Sequence, residues 1–328
     1  MSPAADTLHA PLETLCIRPL HDTSSVSVYD VLCRPHDQHR GPEERALTHQ
    51  IVFPRRGVFE FESRGEKLTA DANHVLFFNR DEGYRVAHPT GAGDDCTVFA
   101  FDERVLRDAL ELTDPGWLDL VDGRGVSLTA PDALSRPFRF VHGLNDELVF
   151  WAHERLRRAA QAPHPDSLAL DEAAVALLMA VFQGTYRTRG LSGKPVRPST
   201  RAAHSEVVQR TSLFLASALG ENASLADVGR AVHASPFHLA RLFRRESGLG
   251  IHQYRHRLRL RAALVRIADG ETNLSALALE LGFSSHSHLT DAFRLAFGMP
   301  PAACRKSLDV GRFREMSRDL EVTPGAKS

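Results

Sequence analysis

Two sets of residues in this 328-residue sequence could do chemistry. The first is Cys33, His49, His88 and Cys96, which fall on or beside short β-type segments. Two thiolates and two imidazoles are donors suited to a soft metal. The same four residues are the candidates for effector or redox sensing. The plainer alternative makes the cysteines small buried hydrophobes and the histidines surface groups, and then neither a metal nor a cofactor is expected. The second set lies in two segments that repeat at a spacing of 50, placing Ser235, His238, Leu239, Phe243, Arg244 and Gly248 over Ser285, His288, Leu289, Phe293, Arg294 and Gly298.

No enzyme is expected. A metal-dependent enzyme needs a compact group of His and carboxylate ligands. Here His36, His39, His49, His74 and His88 are scattered, with no HxH pair among them. The GxSxG, P-loop and HExxH patterns are absent, and GAGDD at 91–95 reads as a hairpin turn. Cys16, Cys33, Cys96 and Cys304 form no CxxC pair, which excludes a disulfide scaffold or a zinc finger. The N-terminus is too polar for a signal peptide. The longest apolar run, Ala173–Phe182, is about half of a membrane span. The expectation is a cytoplasmic protein without a membrane partner.

The elements that must hold these residues divide the chain. Val26–Leu32, His49–Phe53, Val58–Phe61, His74–Phe78 and Cys96–Phe101 are rich in Val and Phe and are separated by turn signals, which predicts a small β-sandwich or barrel. Asp102–Leu112, Leu144–Ala160 and Leu168–Arg187 carry helical periodicity. The predicted domains are 1–189, a Gly/Pro/Ser-rich linker 190–204, a helical domain 205–307 and a polar tail 308–328.

Each repeat begins with a short helix, Leu225–His233 or Leu274–Leu281, followed by a tight turn and a second helix. Ser235 and Ser285 are the expected N-caps of the second helices, and Pro236 suits the first helical position. Leu239, Leu242 and Phe243 make one buried stripe. The opposite face carries Phe237, Arg241 and Arg244, with Ala240 and Arg245 at its edges. In the second copy Ser287, Asp291 and Arg294 point away from the stripe, Thr290 lies at the edge and His286 near the start. Two such helix-turn-helix units joined by Ile251–Ala268, about 27 Å of helix, could set two reading helices near one DNA turn apart.

This stretch, in SLADVGRAVHASPFHLARLFRRESG and LALELGFSSHSHLTDAFRLAFGMPPAACR, resembles the AraC/XylS family of transcription regulators. The resemblance implies that Phe237, Ala240 and Arg241 read bases in one major groove. His286, Ser287, Thr290 and Asp291 would serve the second. Asp291 departs from the family pattern, which often has arginine there. A carboxylate is repelled by phosphate but can accept from cytosine N4. The N-terminal region, through its strand rhythm and LTADANHVLFFNRDEGYRV, resembles the cupin-type sensor barrel of that family. The expected fold is thus α+β: a cupin-like β-barrel with flanking helices, then an all-α domain with two helix-turn-helix units.

Charge agrees with that division. The chain's net −1 splits into 13 basic against 8 acidic residues in 205–307 and 23 against 29 in 1–204. An excess of arginine on one domain supplies phosphate contacts, and the acidic half could restrain the basic one. The expected function is an effector-responsive, DNA-binding transcription regulator with double-stranded DNA, a small-molecule effector, a second copy and RNA polymerase as candidate partners. The alternatives are a constitutive DNA binder with a dimerising N-terminal domain, and a cupin enzyme fused to a DNA-targeting module.

Overall fold

The computed structural model describes residues 15–35, 41–113, 136–189 and 198–307. His36, His39, residues 190–197 of the expected linker and the tail 308–328 lie outside them.

Ten strands form two open antiparallel sheets among the described residues. The larger runs β1 (Leu15–Asp22), β2 (Val26–Cys33), β9 (Asp94–Phe101), β4 (Gln50–Arg56), β7 (His74–Phe78) and β10 (His142–Leu144). The smaller runs β3 (Glu44–Arg45), β8 (Gly83–Ala87), β5 (Phe59–Ser63) and β6 (Glu66–Ala70). Period-2 alternation sorts the large sheet's side chains between two cores. Ile51, Phe53, Val75, Phe77, Phe99 and Phe101 face a helical layer. Val52, Leu76, Phe78 and Cys96 face Phe59, Phe61 and Tyr84 of the small sheet. Among the described residues the two sheets do not close on each other: they stack, which is the sandwich alternative that strand rhythm allowed, and the cupin-like barrel implied by the resemblance is not formed as a closed barrel.

The helical layer is α1 (Glu103–Thr113), α2 (Glu147–Ala160) and α3 (Ser167–Arg189). By length and apolar content α3 could cross a membrane, contrary to the estimate from its longest unbroken run. Here Leu170, Ala173, Leu177, Leu178, Val181 and Phe182 are instead spent on the core beneath the large sheet.

The C-terminal domain comprises α4 (Pro198–Ser217), α5 (Leu225–Ala231), α6 (Pro236–Ser247), α7 (Ile251–Ala268), α8 (Leu274–Glu280), α9 (His286–Phe297) and α10 (Pro301–Ser307). Helix α4 begins at Pro198, so residues 198–204, expected as linker, are helical; a proline at the first helical position loses no hydrogen bond.

The two domains share a core. Ala72, Phe150 and Trp151 from the N-terminal part pack in one cluster with Tyr254, Leu258, Phe293 and Phe297. Polar contacts cross the same boundary. Tyr254 Oη donates to Asp71 Oδ2 at 2.5 Å, and Arg257 Nε lies 2.6 Å from Glu147 Oε1. The fully buried Arg261 donates to Asn73 Oδ1 and to the Asn145 carbonyl, with its guanidinium 5.3 Å from the Phe150 ring centre.

Candidate nucleic-acid interface

The second helices of the two repeats are built alike. The Ser235 hydroxyl accepts from the His238 N–H at 3.4 Å, and that of Ser285 from the His288 N–H at 3.1 Å. Each cap satisfies an N–H that the helix itself leaves without a partner. Leu239, Leu242 and Phe243 are buried in α6, and Leu289, Phe293 and Phe297 in α9. Both helices are 12 residues long and end on a glycine, Gly248 or Gly298.

Their outer faces are open. Ser235, Phe237, His238, Arg241, Arg244 and Arg245 of the first unit are exposed, as are Ser285, His286, Ser287, Asp291 and Arg294 of the second. Phe237 is 79% exposed, a large aromatic with no core to fill, so it is free to meet a ligand's apolar surface. Arg241, Arg244, Asp291 and Arg294 make no ion pair among the described residues. Arg245 differs: its guanidinium lies 2.8 Å from His204 Nδ1 of α4 and 2.5 Å from Glu246 Oε1. Ala240 and Thr290 are half-buried, and the Thr290 hydroxyl is shielded from solvent. His288 is held by Ser284 Oγ at 3.0 Å and sits edge-on to Phe283. Leu295, 89% exposed on α9, extends the open face and escaped the sequence reading because it lies off the repeat's matched positions.

Helix α7 joins the two units through arginines. Arg259 donates to the carbonyls of Leu219 and Glu221 at 2.8 and 2.7 Å and to Gly282 O at 2.9 Å, while Arg255 donates to Ala223 O at 2.7 Å. Burial, then the neighbouring Arg255, lowers the pKa of Arg259 from its usual value. The signal for these staples is the alternation RHRLRLR at 255–261, in which every arginine is flanked by buried leucine or by another polar group. Counting charge alone assigns such residues to phosphate contacts.

The other candidate set is regrouped. The donor atoms of Cys33, His88 and Asp94 lie within 4.8 Å of one another. His88 Nε2 is 2.5 Å from Asp94 Oδ1, and the Cys96 thiol donates to Asp94 Oδ2 at 3.1 Å. His49 is elsewhere, at the far end of β9, where its carbonyl accepts from Phe101 N and its Nδ1 accepts from Arg80 N at 3.1 Å. Burial and then Arg80 lower its pKa. Both His49 and His88 are buried rather than at the surface. His49 lines an open cleft of about 530 Å³ with Thr48, Arg80, Asp102, Glu103, Arg104 and Arg107, in which Arg80 is paired to Glu103 at 2.7 Å.

Residues 228–307 match a family model described as a helix-turn-helix domain. Among curated proteins, the chain is 24% identical over 106 residues to the regulatory protein PocR of Salmonella typhimurium, covering 32% of this chain and 35% of PocR. It is 33% identical over 79 residues to the HTH-type transcriptional regulator GlxA of Rhizobium meliloti, covering 24% of each. It is 32% identical over 83 residues to a putative AraC-like transcription regulator of Streptomyces lividans, covering 25% of this chain and 27% of that one. The chain thus spans about a quarter to a third of the length of these relatives. Among solved structures, ToxT from Vibrio cholerae aligns over 87% of this chain and 99% of its own at 11% identity, with a TM-score of 0.35. At that score the likeness assigns neither fold nor ligand.

Proposed function

We propose that this chain, whose C-terminal domain is a helix-turn-helix domain of the AraC type, is a sequence-specific DNA-binding transcription regulator. The observation that carries the reading is the pair of capped, equally long helices, α6 and α9, whose outer faces are open and whose inner faces are fixed to one connecting helix. Two reading helices held this way suit successive major grooves on one face of a duplex. Phe237, Ala240 and Arg241 are the base readers of the first unit, and His286, Ser287 and Asp291 those of the second. Arg244 and Arg294 suit phosphate. Arg245 positions α6 against α4 rather than reading DNA. The N-terminal domain, an opened cupin-like pair of sheets, is the sensor, and the cleft beside His49 is its small-molecule site. The protein works in the cytoplasm, as a homodimer in contact with RNA polymerase.

Selection of bound sequences from a random duplex pool tests this reading. The expected product is a site of two short motifs, about 10 base pairs apart centre to centre. Enrichment of no motif by the full chain overturns it.

A further inference from the structure

We propose that Cys33, His88 and Asp94, brought together where β2 meets the start of β9, form a three-ligand binding site for a thiophilic divalent cation of the Zn²⁺ class, with water completing its coordination. Nothing in this proposal depends on DNA binding.

Three parts of the chain supply the donors. Cys33 is the last residue of β2 and pairs in register with Asp94, the first residue of β9. Cys96 stands two positions further along β9 and so on the same face as Asp94. His88 follows β8 on the opposing sheet. Close packing of the 88–95 turn holds the set: a side chain at Gly93 would come within 2.0 Å of the Cys33 carbonyl oxygen, so this backbone contact admits only glycine.

The donor chemistry is that of a mixed Cys/His/carboxylate zinc site. His88 Nε2 and Cys96 Sγ already converge on the two oxygens of Asp94, at 2.5 and 3.1 Å. His88, Asp94 and Cys96 are buried, at 7%, 6% and 4% exposure, and Cys33 is half-buried, so an ion has an entry path through one ligand only. Without a metal the group is held by one shared proton network. A dication bound to one sulfur, one imidazole and one carboxylate would hold the three donors together in place of that network. Arg55, the cation beside Cys96, is already paired to Asp30 at 3.0 Å.

The test uses the untagged full chain, stripped with a chelator and titrated with Zn²⁺ against a chromophoric competitor, and with Co²⁺ for its spectrum. One ion per chain and a sulfur-to-cobalt charge-transfer band are expected. Cys33→Ser and Asp94→Asn should each weaken Zn²⁺ binding at least tenfold, and His49→Ala should leave it unchanged. A readout on the unmutated chain guards against variants that fail to fold. Saturating Zn²⁺ should slow alkylation of Cys33 at least tenfold, with exposed Cys16 as the unprotected internal standard. Absence of stoichiometric binding, or binding with Cys33 unprotected, overturns the proposal.

Discussion

Arg241 and Arg245 sit four residues apart on the same exposed helix, and their surroundings give them different work. Arg241 has no partner among the described residues, whereas Arg245 is tied to His204 and Glu246. Arg241→Ala should therefore weaken binding to a selected duplex by about 1–3 kcal/mol and relax preference at one base position. Arg245→Ala should cost less DNA affinity than Arg241→Ala; fluorescence anisotropy at fixed salt compares them, and equal losses would refute the distinction. A buried residue allows a second prediction. His153 stacks on Phe53, ring centres 4.5 Å apart, and burial, with Arg55 and Arg157 adding to it, pulls its pKa down to about 3. The unfolded chain takes up a proton near 6.5, which native His153 refuses. Stability from this group is therefore present above that value and is lost as pH falls towards 3. By pH 5 the loss is about 2 kcal/mol. His153→Phe keeps the stack and removes the titration, so its melting temperature should fall less than that of the parent chain between about pH 7 and pH 5. Parallel decreases would sink this account.

Helices α6 and α9 were legible in the sequence because their signals are local. A serine cap, a proline at the first turn of α6 and an apolar stripe at helical spacing mark α6 and α9 without tertiary help. The Val- and Phe-rich strands declared themselves for the same reason. Strands β1, β6 and β8 did not: LCIRPLHD, EKLTA and GYRVA carry charges on positions that face solvent at a sheet edge or surface. Asp94 was hidden likewise, since GAGDD has the composition of a turn, and only strand register turns its carboxylate towards Cys33 and His88. The GF pair of the second repeat was recognisable as text, but its cause is geometric. Gly282 has φ +76°, and a side chain there would meet Arg259 Nη2 at 2.4 Å and Gly220 O at 2.7 Å. Gly282→Ala should thus destabilise the chain by more than about 1 kcal/mol, from backbone strain alone. It should also displace the second unit, whereas Ser285→Ala, which removes only a cap, should cost about 1 kcal/mol. Chemical denaturation orders the two, and footprinting locates the damage: Gly282→Ala should lose protection over the second half-site first. Uniform loss over both half-sites would mean that Arg259 does not fix the units separately.

At the scale of the whole molecule, the charge division seen in the sequence acquires an address. The basic half does not simply present its arginines to DNA: Arg257 turns to Glu147, and Arg261 is buried against the N-terminal domain. The pairing also runs the other way, with Arg157 of the acidic half 3.3 Å from Asp269 at the end of α7. Charge complementarity between the halves is thus realised in specific contacts along one helix, the same helix that joins the two helix-turn-helix units. Arg261 is the centre of that interface. Burial lowers its pKa to about 10, yet it remains charged at neutral pH, satisfied by Asn73 and the Asn145 carbonyl. Because Phe150 and Trp151 share a core with Phe293 and Phe297, the domains should unfold together, and calorimetry of the full chain should show a single transition. Arg261→Ala leaves two buried acceptors without a donor and should cost about 3 kcal/mol. The loss would fall on the interface, so the variant should resolve into two transitions while each domain keeps its own core. Two transitions in the parent chain would show that the domains are stable apart. The α7 contacts could not then carry the proposed signal from the cleft beside His49 to α6 and α9, since a ligand can bias those helices only through contacts that differ in energy between two arrangements.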